Sequence, residues 1–186
     1  MGEDGAMRWD RLFDDLETQL AAQERLELDA EVSERTRLER AKVSLSERLA
    51  GAVGTTVSAQ LAGGRRVEGT IGDVGSGWFV LDEQGRPVLV PTHALLSLAG
   101  LPQRPRGAST ARRLELGYAL RAISRDRRAV HVHDVCGGVV SGTIDAVGAD
   151  AFDISEHAPD EPRRAGNVRA RRTVPFVAVA AVASAE

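Results

Sequence analysis

Hydrophobic and polar residues alternate in two stretches of the chain that repeat one another. Residues 64–83 read GRRVEGTIGDVGSGWFVLDE, and residues 137–156 read GGVVSGTIDAVGADAFDISE. Because repetition within a chain indicates a duplicated architecture, the sequence predicts one small β-rich unit built twice. At a shift of 73 positions the coinciding pairs are Gly64/Gly137, Val67/Val140, Gly69/Gly142, Thr70/Thr143, Ile71/Ile144, Val74/Val147, Gly75/Gly148, Phe79/Phe152 and Glu83/Glu156.

Each copy predicts about five short strands separated by glycine- or proline-containing turns. The pattern of the first copy restarts at Val130 in the second. The second copy carries a polar insertion, HAPDEPRRAGNVRARR at residues 157–172, and then rejoins the first, with Val174-Pro175 matching Val90-Pro91. Closely spaced turns between short strands favour a small barrel, since closure removes exposed sheet edges.

A different pattern precedes the repeats. Between Met7 and Ala50 there is neither glycine nor proline, and apolar residues recur at steps of three and four, as in an amphipathic helix. The sequence predicts a long helix over residues 1–50, whose apolar stripe either forms a dimeric coiled coil or packs within the chain. The residues proposed for dimerisation are Leu12, Leu16, Leu20 and Leu28.

The remaining segments divide the chain further. The first barrel is predicted over residues 51–101, and residues 102–109 form a linker rich in proline, glycine and arginine. A second helix, capped by Ser109 or Thr110, then precedes the second barrel within residues 110–186.

The motifs of the repeats resemble those of the Sm-like (LSm/Hfq) barrel. The first copy contains G-T-I-x-x-V-G, F-x-L and V-P-x-x-A-L, and both copies place a glycine, an apolar residue three later and a glycine five later. The resemblance implies a fold of the α+β class, in which a long N-terminal helix is followed by two small Sm/SH3-like β-barrels, each preceded by a helix. The whole chain also resembles an uncharacterised actinobacterial family, which implies no activity.

The chain departs from the Sm pattern where RNA would bind. Sm proteins carry an Asp and an Asn that hold a base, whereas Gly75 and Trp78 stand there in the first copy. Hfq closes with a Lys-His pair that faces RNA; here Thr92-His93 keeps only the histidine. The resemblance therefore implies a role for His93 in RNA binding but no complete base pocket.

Composition narrows the class of protein. The chain has 186 residues, a net charge of −3 and one cysteine, Cys136. No apolar run approaches the ~20 residues of a membrane-spanning helix, and the acidic N-terminus does not resemble a secretory signal. These features predict a cytoplasmic protein that has no internal disulfide and does not insert into a membrane.

The sequence offers little for catalysis. No carboxylate pair, Ser-His-Asp set or phosphate loop stands out, so we expect neither enzymatic activity nor a cofactor. His131 and His133 share one face of a strand, as metal ligands do. However, they align with Ser58 and Gln60 of the first copy, and we interpret them as solvent-facing residues that bind no metal.

Arginine clustering is the remaining functional signal. Residues 104–128 have a local charge of +6, and the insertion adds further arginines. Such residues either bind RNA phosphates in a salt-dependent way or pair with the acidic N-terminal segment, which has a charge of −5 through residue 50. The candidate nucleic-acid-binding residues are His93, Arg104, Arg106, Arg112, Arg113, Arg125, Arg127, Arg128, Arg163, Arg164, Arg169, Arg171 and Arg172.

Two functions follow from these observations. The first is a non-catalytic, RNA-associated Sm-like adaptor. The alternative is a protein-assembly scaffold that dimerises through the N-terminal helix and does not bind nucleic acid. The partner is therefore RNA, another protein or a second copy of the chain.

Overall fold

Strands dominate the structure and form where apolar residues alternate with polar ones. The computed structural model describes residue 25 and residues 43–102 and 114–185. In β1, for example, Val57, Ala59 and Leu61 are buried while their neighbours are not. The strands are β1 (Thr56–Leu61), β2 (Arg66–Gly75), β3 (Trp78–Glu83), β4 (Arg86–Pro91), β5 (Leu95–Ala99), β6 (Val130–Asp134), β7 (Val139–Val147), β8 (Ala151–Glu156), β9 (Ala170–Pro175) and β10 (Val179–Ser184), and the helices are α1 (Leu45–Ala50) and α2 (Leu116–Asp126).

The predicted fold class, with two separate barrels, is wrong. All ten strands pair in one sheet in the order β5-β1-β2-β3-β4-β10-β6-β7-β8-β9, and every pairing is antiparallel. Closing each repeat would require its fifth strand to pair with its own fourth strand. Instead β4 pairs with β10 of the other repeat, and within the described chain β5 pairs only with β1. In a closed barrel the edges of the fourth and fifth strands would pair within one repeat. Here the edges of β4 and β10 pair with each other and join the two repeats.

The long N-terminal helix of the prediction lies outside the described residues over most of its length. Near its predicted end the structure has only the six-residue helix α1. The second predicted helix corresponds to α2, which begins at Leu116 and ends at Asp126. Neither described helix is long and apolar enough to cross a membrane.

The two repeats form the same strands with the same pairing. Ile71 lies opposite Leu81, and the equivalent Ile144 lies opposite Ile154. Trp78 pairs with Pro91, as Ala151 pairs with Pro175. The shift of 73 residues therefore holds through β8, and the insertion increases it to 84 for β9 and β10.

Both hydrophobic cores include residues from the opposite repeat. Ala181 of β10 packs in the core of the first repeat, among residues such as Phe79 and Leu81. Trp78 and Leu89 of the first repeat pack in the second core. Because each core is completed by residues of the other repeat, both cores depend on the β4–β10 pairing, which we call the seam.

Hydrogen bonds reinforce this seam. The Trp78 Nε1–H donates to the carbonyl of Leu114, just before α2, at 2.8 Å. The backbone N–H of Ser76 donates to the same carbonyl at 2.9 Å. These bonds hold the start of α2 against the β2–β3 turn of the first repeat.

Two pairs of glycines show where backbones approach too closely for a side chain. A Cβ at Gly69 would overlap the carbonyl of Asp82 on β3, and one at the equivalent Gly142 would overlap that of Ser155 on β8. At the seam, Gly63 lies against the β6–β7 turn: its Cβ would lie 2.7 Å from the backbone nitrogen of Gly137. The absence of a side chain therefore allows the two turns to meet.

Substituting Gly63 with alanine should destabilise the protein more than the same change at Gly64. Both glycines have a positive φ, of 76° and 82°, which costs an alanine about 1–2 kcal/mol. Only at Gly63 does the new methyl group also overlap backbone atoms, whereas at Gly64 it meets nothing within 4 Å. Urea unfolding should show an additional loss of roughly 2 kcal/mol or more for Gly63→Ala. Equal losses in the two variants would contradict the close contact at the seam.

Candidate interaction surfaces

The sheet ends in two strands that each have one unpaired edge. In the described chain β5 pairs only with β1, and β9 pairs only with β8. These are the fifth strand of the first repeat and the fourth strand of the second. Their counterparts, β10 and β4, are the two strands that pair at the seam. The free edge of β5 is therefore equivalent to the edge of β10 that pairs at the seam, and the free edge of β9 is equivalent to the edge of β4 that pairs there.

Burial differs sharply between β5 and its counterpart β10. Leu96 of β5 is 66% exposed, whereas the equivalent Ala180 is completely buried. Ser97 is also exposed, and its equivalent Ala181 is buried. The exposed surface of β5 thus corresponds to a surface that, in β10, is covered at the seam. The signal in the sequence is that Leu96 and Ser97 are matched by alanines at the equivalent positions 180 and 181.

The opposite end of the sheet shows a matching exposure. Val177, in the short 3-10 turn after β9, is 75% exposed. Its equivalent in the first repeat is His93, whose Nε2 is 3.1 Å from the carbonyl oxygen of Val179 across the seam. His93 was predicted to bind RNA; the structure gives it a contact between the repeats. Leu96 and Val177 were not among the predicted functional residues.

The insertion brings several predicted arginines to β7, β8 and β9. Arg163 forms an ion pair and hydrogen bond with Asp145 of β7, and Arg127 approaches the same carboxylate at 3.9 Å. Arg172 Nε donates to Glu156 at 2.7 Å. These arginines therefore hold the insertion and the end of α2 onto the second repeat.

Asp145 is the acceptor around which this cluster forms. It also accepts a 2.6 Å hydrogen bond from the hydroxyl of the buried Ser155. Burial raises the pKa of Asp145, but the hydrogen bonds from Arg163 and Ser155 outweigh this effect and hold the pKa below its ordinary value. The carboxylate is thus ionised at neutral pH and neutralises part of the arginine charge.

Other predicted arginines are exposed and form no ion pair within the described residues. They line the end of α2, the insertion and β9, and they leave positive charge facing solvent on the second repeat. Arg128 differs, because it has an interaction partner. Among the described residues, the candidate nucleic-acid-binding arginines that are exposed and form no ion pair are Arg125, Arg164, Arg169 and Arg171.

Several predicted site residues lie outside the described part of the chain. They comprise the linker arginines Arg104, Arg106, Arg112 and Arg113 and the proposed dimerisation residues Leu12, Leu16, Leu20 and Leu28. The structure neither joins them to the arginines of the second repeat nor separates them.

The two strand histidines are engaged within the protein. His131 Nδ1 is 2.7 Å from the hydroxyl of Ser141, and Arg65 Nη1 donates to His133 Nε2 at 2.5 Å. Asp134 accepts hydrogen bonds from the backbone N–H groups of Cys136 and Gly138, which shapes the β6–β7 turn. Among the described residues, no group of three or more His, Cys, Asp or Glu side chains could hold a metal ion.

His133 contacts Arg65 of the first repeat, and its pKa is lowered. Burial, followed by the positive charge of Arg65 from the first repeat, lowers the pKa of His133 to about 4. Arg65 also lies 3.5 Å from Glu83, so one guanidinium bridges a histidine and a carboxylate. Neutral His133 can accept this hydrogen bond, whereas a protonated ring would place two positive charges in contact.

Comparison with family models, curated proteins and solved structures finds no match to this chain.

Acid should destabilise the wild-type protein partly through His133. The unfolded histidine takes up a proton near pH 6.5, but the folded one resists protonation until about pH 4. The folding free energy should therefore weaken as pH falls from 6.5 to 4, with no further contribution below that range. His133→Gln, which introduces the residue found at the equivalent position 60, should reduce this pH dependence in urea unfolding.

Cys136→Ser provides a matched control in the following turn, because it changes a neighbouring side chain but keeps His133 and its contact with Arg65. An identical pH dependence in His133→Gln and Cys136→Ser would contradict the lowered pKa of His133.

Proposed function

We propose that the protein is a non-catalytic interaction module that assembles with further copies of itself through the two ends of its sheet. The proposal rests mainly on the contrast between exposed Leu96 and buried Ala180, which occupy equivalent positions. An exposed strand edge with apolar side chains favours pairing with another strand. The seam supplies a template, because a fourth and a fifth strand of the same two repeats already pair there.

The template specifies a register. At the seam Val182 of β10 lies opposite Leu89 of β4. The equivalent positions on the free edges are Leu98 of β5 and Thr173 of β9. Leu98 of one copy is therefore placed opposite Thr173 of the next, in an antiparallel pair that extends the sheet.

This contact joins unlike ends of the molecule. Each copy offers one β5 edge and one β9 edge, so the association is head-to-tail and continues until the copies close a ring or form a filament. This proposal keeps the scaffold function predicted from the sequence but moves the contact from the N-terminal helix to the sheet edges.

Paired cysteines test the register. In a Cys136→Ser background, Leu98→Cys combined with Thr173→Cys should give covalent oligomers with the thiol-bridging reagent dibromobimane, because directly opposite residues have Cβ atoms about 5 Å apart. Denaturing electrophoresis should show a ladder in multiples of the 19.9 kDa chain. A matched pair, Glu68→Cys with Thr173→Cys, moves one thiol to β2, away from the edge, and should remain monomeric on the gel.

A charge on the exposed edge tests the assembly without cross-linking. Leu96→Asp should lower the mass measured by light scattering, because an unpaired carboxylate would be buried at the interface. Val139→Asp is the control: Val139 is 53% exposed and lies on β7 inside the sheet. A monomeric wild-type protein, or an unchanged mass in Leu96→Asp, would reject assembly through β5.

Binding of RNA phosphates remains a second candidate function. The observation that favours it is the group of exposed arginines without an ion pair on the second repeat, which includes Arg169 and Arg171. The charge would give affinity with little sequence preference, as the resemblance to Sm-like proteins and the missing base pocket together imply. Under either function we place the protein in the cytoplasm, where its single cysteine remains reduced.

Salt dependence tests the RNA candidate. A ~20-nucleotide single-stranded RNA should bind at ~50 mM salt, and its affinity should fall steeply as salt increases. Replacing both Arg169 and Arg171 with alanine should reduce the slope of log affinity against log salt by about one to one and a half. Arg66→Ala with Arg86→Ala removes the same charge from the first repeat and should leave the slope nearly unchanged. The absence of binding at ~50 mM salt would reject this function.

A further inference from the structure

A groove of about 310 Å³ lies along the seam and takes its walls from both repeats. Trp78, Val80 and Leu89 of the first repeat form one side. The other side comes from α2 and the neighbouring ends of β6 and β10, including Ile123 and Val182. Most of the lining is apolar, and the volume is at the lower end of the range of small-molecule pockets.

The apolar wall that Val80 and Leu89 form has no counterpart in the second repeat. The positions equivalent to Val80 and Leu89 are Asp153 and Thr173, which line a polar cleft with three arginines in the second repeat. Duplication of the fold therefore does not by itself require an apolar wall at this place.

Small residues leave the space open. Where α2 passes over the apolar wall it presents Ala119 and Ala122, and Ala129 and Ala183 complete the lining. Larger aliphatic side chains at these positions would fill the groove and add buried apolar area, which normally stabilises a protein. The sequence instead leaves room for a compact group.

Charge and aromatic groups at the mouth indicate what that group is. Asp73, Asp126 and Arg128 line the groove and are exposed, so the charged groups at its mouth sum to −1. Tyr118, two turns earlier on α2, lines the same groove and is 49% exposed, so its ring is available to an aromatic group in the groove. Carboxylates attract organic cations, and aromatic rings pack against one another.

We propose that this groove binds a compact aromatic amine, with the ring between the apolar walls and the ammonium group at Asp126. This site is separate from the sheet edges and from the exposed arginines. Binding of the amine in the groove therefore does not depend on self-assembly or on RNA binding.

Three indole compounds that differ in charge test the proposal on the full-length chain. Tryptamine is cationic, indole is neutral and indole-3-acetate is anionic at pH 7. Methyl NMR signals of Ala119, Ala122 and Ile123 should shift on titration, with tryptamine binding about threefold to tenfold more tightly than indole and indole-3-acetate most weakly. The melting temperature should rise in the same order.

Two variants separate the walls from the mouth. Ala119→Leu fills the groove and should abolish the shifts for all three compounds. Asp126→Asn keeps the shape and should bring tryptamine close to indole, whereas Asp160→Asn, in the insertion away from the groove, should preserve the difference.

Absence of shifts at millimolar concentrations, or equal binding of the three compounds, would overturn the proposal. Undiminished binding to Ala119→Leu, folded by circular dichroism, would also overturn it. If Ala119→Leu does not fold, the comparison of Asp126→Asn with Asp160→Asn decides: an unchanged preference for tryptamine in Asp126→Asn rejects the site.

Discussion

The pairing of β4 with β10 is the constraint on which the remaining structure depends. It turns two five-stranded repeats into one sheet and brings Trp78 into the core of the second repeat and Ala181 into the core of the first. It also sets Arg65 against His133 and lets the turns at Gly63 and Gly137 touch. Neither core is complete without the seam, so we expect the two repeats to unfold together rather than as independent domains.

The same pairing determines which surfaces remain available. Because β4 and β10 are used inside the chain, one fifth strand and one fourth strand are left at the ends of the sheet. The apolar exposure of Leu96 and Val177 lies at these ends. The exposed arginines among the candidate nucleic-acid-binding residues lie on the second repeat, where Asp145 and Glu156 neutralise only some of them. The exposed apolar residues at the sheet ends and the exposed arginines are therefore different parts of the surface.

The sequence predicted local features better than long-range ones. Glycines at Gly69 and Gly142 marked the duplication because each stands where a neighbouring backbone leaves no room for a side chain. Alternation likewise located the short strands. Whether β4 pairs with β5 or with β10 could not be read from these patterns, since both partners are short apolar strands and the choice depends on distant contacts. The alanine at position 180, where the first repeat has Leu96, could have suggested that β10 is the partner of β4.

The functional residues were predictable to a similar extent. Arginine clustering identified Arg163 and Arg172 but not their partners, because Asp145 and Glu156 are distant in sequence. His131 and His133 were interpreted as solvent-facing by comparison with Ser58 and Gln60. The contact of His133 with Arg65 arises only when the repeats meet, so comparing aligned residues could not reveal it. His131 contacts Ser141 across the β6–β7 pair of its own repeat.

The side chains of β10 are smaller than those of its counterpart β5, and the covalent connection between the repeats explains why small ones suffice. The strand reads VAAVAS, whereas its counterpart β5 reads LLSLA. A covalent tether keeps β10 at a high effective concentration near β4, so small side chains are sufficient to hold a junction that never has to form by collision. A strand that must capture a free partner has no such advantage and needs more apolar surface of its own. The covalent connection thus relaxes the demand on the junction inside the chain, while β5, the strand proposed to pair with a second copy, carries leucines.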